Sequence, residues 1–136
     1  MKVNLKNIIG LAALGITLLT TTAPTWAGRV YNDNVVIGND QSSSWAGGSM
    51  VDARYSADSR QHISCRAESL PHYPWTTCYA TDSAGRGLIC GSASWTFFDM
   101  VQGMMDSSHI LFRTDTNTAQ GNCTEIVIYN SSEALR

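Results

Sequence analysis

The feature that most constrains this chain is its set of four cysteines, Cys65, Cys78, Cys90 and Cys123, all downstream of a leader with the marks of export. Lys2 and Lys6 precede an apolar run over residues 8–19, and Thr25-Trp26-Ala27 supplies small residues for cleavage. This is the pattern of a secretory signal peptide, expected over residues 1–27. The apolar run is about a dozen residues, short of the roughly 18 that a spanning helix needs. In an oxidising compartment an even cysteine count reads as two disulfides. Closing the shorter loops favours Cys65–Cys78 with Cys90–Cys123. Cys78–Cys90 with Cys65–Cys123 stays open, because the strand register puts Cys78 opposite Cys90. Paired C-x-x-C spacing is absent, so the four thiols do not read as a zinc site.

Beyond the leader, Gly28 to Arg136 is 109 residues, one domain with room for its own core. That part has no lysine, seven arginines and eleven acids, a formal charge of −4. A nucleic-acid partner calls for a basic face to neutralise phosphates, and scattered arginines in an acidic domain do not form one. After leader removal no membrane span is expected.

One segment alternates clearly with the period of two that marks a half-buried strand. In Gln61–Ala67, His62, Ser64 and Arg66 alternate with Ile63, Cys65 and Ala67. Thr76–Thr81, Leu88–Gly91, His109–Thr114 and Cys123–Tyr129 are further strands, and residues 28–38 and 49–55 could hold two more. Ser83-Ala84-Gly85 places glycine where a type I turn plus bulge needs a left-handed residue. Residues 39–49, rich in Ser and Gly, read as a flexible loop containing Trp45. Leu70 to Trp75, with Pro71 and Pro74, reads as a bent connection. One helix is expected over Phe97–Met105, capped by Thr96 and with its apolar stripe in the core. The fold expected is α+β: a small antiparallel sheet with one helix and two disulfides, with an all-β sandwich as the alternative.

No motif announces catalysis. G-x-S-x-G, H-E-x-x-H and a Walker loop are all missing. Serine is too abundant for any Ser–His–Asp combination to carry weight. Asp115-Thr116-Asn117 opens like an oxygen-ligand loop, but no glutamate follows at the twelfth position, so a plain hairpin loop is expected. No metal and no cofactor is expected. The surviving hint is aromatic: His72, Tyr73 and Trp75 crowd one Pro-rich stretch, with Trp45 elsewhere. Rings with polar tips suit sugars and protein partners alike, although such a stretch can also pin its rings against the sheet. Trp45 reads as an anchor onto the core or as a contact residue.

Three runs carry a resemblance: residues 53–65, the stretch from Cys78 to Arg86 with Cys90, and Asn122 to Ile128. Together they resemble small secreted bacterial proteins built around four cysteines. The resemblance implies export and disulfides and assigns no site residues. The function expected is a secreted or periplasmic, non-enzymatic binding protein with a protein or glycan partner in the envelope or outside the cell. Alternatives are an inhibitor of an extracytoplasmic enzyme, such as a lysozyme or protease, and a small hydrolase.

Overall fold

The computed structural model describes residues 33–130. The expected leader lies outside them. Seven strands and two short helices follow in the order β1 (Val36–Asn39), β2 (Ser44–Ser49), α1 (Met50–Arg54), β3 (His62–Ser69), β4 (Pro74–Thr81), β5 (Gly87–Ser92), α2 (Trp95–Gln102), β6 (His109–Thr114) and β7 (Gln120–Tyr129). They form one sheet, ordered β1-β2-β6-β7-β5-β4-β3, rather than the two sheets of a sandwich. Every pairing is antiparallel except β5 with β7, which run parallel through Ile89–Gln120, Cys90–Gly121 and Gly91–Asn122. Strand β7 is shared: its first residues pair with β5, and from Cys123 onward it pairs with β6 across a register shift. Such an irregularity bends a strand and increases its twist. The sheet closes on one core, in which Val35, Ile37 and Ala46 meet Ile63, Ala80, Leu88 and the cysteines. Ile110, Phe112 and Ile126 complete it, and Val101 of α2 packs in from the helix.

The disulfides are Cys65–Cys78 and Cys90–Cys123, the pairing that loop closure favours. The first joins direct register partners on β3 and β4. The second fastens the parallel seam between β5 and β7. Cys78 is also the register partner of Cys90 on β5. All four cysteines are buried. Two disulfides are typical of extracytoplasmic proteins. Among the described residues, no helix is long and apolar enough to cross a membrane.

Four expectations are corrected. The sheet is mixed rather than antiparallel, because β5 and β7 run parallel. The flexible loop at residues 39–49 is strand from Ser44 onward. Its inward positions are filled by Ser44, Ala46 and Gly48, and a Cβ at Gly48 would come 3.0 Å from the Val35 backbone. Close approach of neighbouring chain, not polarity, sets the composition here. Residues 50–54, expected as strand, form α1, capped by the Ser49 hydroxyl accepting from the Asp52 N–H. There are thus two short helices, not one. The expected helix also begins earlier, at Trp95, and its N-cap residue is Ser94 rather than Thr96. Phe98 and Val101 of its stripe are buried, whereas Met105 lies beyond the helix and is exposed.

The turn at residues 82–86 forms as expected, with Gly85 at φ 83°. Burial opposes ionisation of Asp82. The backbone N–H of Arg86, its guanidinium and the N–H of Ala84 outweigh that, and hold the carboxyl below its ordinary value.

Candidate functional site

Among the described residues, a concavity lies on the sheet face opposite the core, where β4, β5 and β7 run side by side. The alternation of β4 assigns the faces: Thr76, Cys78 and Ala80 are buried, while Trp75, Thr77 and Tyr79 face outward and are half-buried. On β5, Leu88 and Cys90 point in, and Ile89 faces out with 45% of its surface exposed. Between these outward side chains stands Gly91, the register partner of Thr77 on one side and Asn122 on the other. The result is a groove of about 450 Å³ walled by Trp75, Thr77, Ile89, Asp115, Gln120 and Asn122.

Gly91 shapes the floor. A Cβ placed there would lie 2.6 Å from Cζ2 of Trp75 and 3.3 Å from Cε2. The indole therefore lies over a position where any other residue would push it away. Glycine within a strand often marks such a close approach. Tyr73 packs edge-on against this indole, ring centroids 6.3 Å apart. The edge-to-face arrangement holds the indole in orientation.

The opposite wall is polar and pre-ordered. Asp115 Oδ1 accepts from the Asn122 backbone N–H at 2.8 Å, and Oδ2 accepts from the Asn122 side-chain amide at 2.7 Å. The Asp115 N–H donates in return to the Asn122 carbonyl. The side-chain amide of Asn122 first, and then its backbone N–H, keep the Asp115 carboxyl below its ordinary value of 3.8. Asp115 is therefore an ionised acceptor at neutral pH. Its two oxygens offer about four acceptor positions, of which Asn122 uses two. The loop carrying it is anchored to β2: Thr114 Oγ1 accepts from the Ser44 N–H at 3.2 Å, and the Ser44 hydroxyl donates to the Thr118 carbonyl at 3.3 Å. Thr116 and Thr118 both donate to the Gln120 carbonyl.

Of the expected binding residues, Trp75 lines this groove and Tyr73 supports it. Trp75 is not in a loop. It is the second residue of β4, which starts at Pro74, a position where a strand tolerates proline. His72 is exposed but does not line the groove. Trp45 is elsewhere, on β2, with its indole over Gly38 of β1. Gly91, Asp115 and Asn122 were not legible as site residues. The turn that holds two of them reads as an ordinary hairpin, and the parallel seam that brings it to Trp75 is a long-range pairing. The four cysteines are scaffold beneath the groove.

The chemistry on offer is an aromatic face beside fixed hydrogen-bond acceptors and amides. Asp115 is the one carboxylate among the lining residues. Hydrolysis of a glycosidic bond calls for two carboxyl groups, one of them with a raised pKa, and Asp115 is shifted the other way. No protein-family model, no curated protein and no solved structure matches this chain.

Proposed function

We propose that the protein is an extracytoplasmic, non-catalytic glycan-binding domain, acting in the periplasm or after secretion, with its ligand in the Trp75 groove. The observation that carries this reading is the indole laid over Gly91 opposite the Asp115–Asn122 pair. A pyranose presents a C–H face that packs on an indole and a rim of hydroxyls that need fixed acceptors. The groove offers both on a framework whose ordering is already complete, which limits the entropy lost on binding. Its single formal charge is the negative one on Asp115. That favours hydroxyl donors and disfavours anionic sugars such as uronates or phosphorylated glycans.

The test is titration of the disulfide-bonded protein with neutral trisaccharides of the chito-, cello-, xylo- and manno- series, followed by tryptophan emission. At least one series is expected to bind saturably. Trp75→Ala should weaken it about tenfold or more, the equivalent of about 1.4 kcal/mol, at unchanged secondary structure. Because Asp115 stays ionised below its ordinary value of 3.8, affinity should hold from neutral pH down to that value and fall beneath it. Silence of all four series, with stable capture of an envelope enzyme instead, would overturn this reading in favour of an inhibitor.

A further inference from the structure

The arrangement at Trp75 and Gly91 occurs a second time in the molecule. On β2, Trp45 is the register partner of Gly38 on edge strand β1. A Cβ at Gly38 would lie 2.5 Å from Cε2 and Cζ2 of that indole and 2.6 Å from Nε1. The same ring edge that rests on Gly91 in the groove rests here on Gly38. Ser44 and Ala46 on either side point into the core, so Trp45 lies on the outward face, half-buried.

The polar counterpart is also present. Arg113 on β6 is the register partner of Trp45 on one side and of Glu125 on the other. Its guanidinium is bonded to Asp40, to the Ser43 hydroxyl at 3.1 Å and to Glu125 at 3.4 Å. Hydrogen bonding to Asp40 raises the Arg113 pKa first, burial opposes it, and Glu125 adds to it, so the cation is fixed. Two carboxylates around one guanidinium leave this patch with a net negative charge, as Asp115 leaves the groove. The two patches thus share an indole over a strand glycine, adjacent acceptors and the same sign of charge.

We propose that Trp45, with Asp40, Arg113 and Glu125, forms a second subsite for neutral oligosaccharides, a proposal that rests on the glycan reading of the Trp75 groove. The two indoles overlie β1 and β5, four strand spacings apart, roughly 19 Å across the strands at about 4.8 Å per spacing. A further offset of about 10 Å runs along the strands, since Gly38 lies in line with Glu125 of β7 and Gly91 with Asn122. A glycan long enough to reach both engages both, and its second contact is made at a high effective concentration. A short one occupies them independently.

The experiment follows the indole N–H resonances by NMR while the intact protein is titrated with chitotriose, then chitohexaose. Trp45→Leu and Trp75→Ala assign the two signals. Leucine still covers Gly38 but removes the flat aromatic face, and a melting curve confirms that the variant is folded. The Trp45 signal is expected to shift saturably with chitotriose and to keep doing so in Trp75→Ala. Chitohexaose should bind the parent about tenfold more tightly than chitotriose, and this gain should vanish in Trp45→Leu. A shift at Trp75 with none at Trp45 would overturn the second subsite and leave the groove standing. No shift at either indole with chitotriose or with the cello-, xylo- and manno- trisaccharides would overturn both.

Discussion

On one side of the sheet, β3 is joined to β4 and β5 to β7 through sulfur. On the β1–β2–β6 side, among the described residues, strands are held by packing and hydrogen bonds. The stapled side places Cys65, Cys78 and Cys90 in register across three strands and fixes Cys90 to Cys123 on β7. The other side relies on fully buried Phe112 and Ile110, on Ala46, and on the Gln61 carboxamide oxygen, which accepts the Val35 N–H at 2.7 Å. The difference bears on where a ligand site can be built. A strand with glycine at an outward position gives up cross-strand side-chain contacts. At Gly91 that loss falls directly beside two cystines. At Gly38 it falls on an edge strand four residues long, and the Arg113 ion pairs alongside are partly exposed and so contribute little. The more concave of the two aromatic patches sits on the covalently braced half.

The largest effect should come from the unstapled half. Phe112→Ala removes a fully buried ring and is expected to cost about 3–5 kcal/mol, read as a drop in melting temperature. A shift of only a degree or two would mean that the core is centred elsewhere. Next come the staples. From the loops they close, 33 and 13 residues in separation, Cys90→Ser with Cys123→Ser should cost about 3.7 kcal/mol, and Cys65→Ser with Cys78→Ser about 2.9. The first pair should therefore melt lower than the second. The reverse order would show that the β3–β4 hairpin, not the parallel seam, depends more on its cross-link. Either pair melting with the parent would dissolve the contrast between the halves.

The legible parts of this fold are those whose causes are local. Period-two alternation marks β3, and the glycine turn that precedes β5 marks it as the returning partner strand. Gly85 marks its turn because few other residues tolerate that backbone conformation. Strand β2 was not legible because its inward positions hold Ser44, Ala46 and Gly48, small residues chosen by contact with Val35 and Thr114. Helix α1 was hidden for a related reason. Five residues are too few to show a helical period, and its Ser49 cap sits in what reads as a loop. In the candidate site, Trp75 could be found from the sequence because aromatics near prolines stand out. Asp115 and Asn122 could not, since only the β5–β7 pairing brings them to Trp75. The leader and the disulfide count rest on composition and spacing, which need no tertiary information.

Gly91→Ala is the most direct test of the central claim, that ligand recognition depends on an indole laid over a strand glycine. The added methyl would sit 2.6 Å from Cζ2 of Trp75, so the ring has to lift while every groove side chain keeps its chemistry. Affinity for the best neutral trisaccharide, measured on folded protein, should then fall about tenfold or more, the same order as Trp75→Ala. Parent-like affinity in Gly91→Ala, with the ring shown to have moved, would contradict the account.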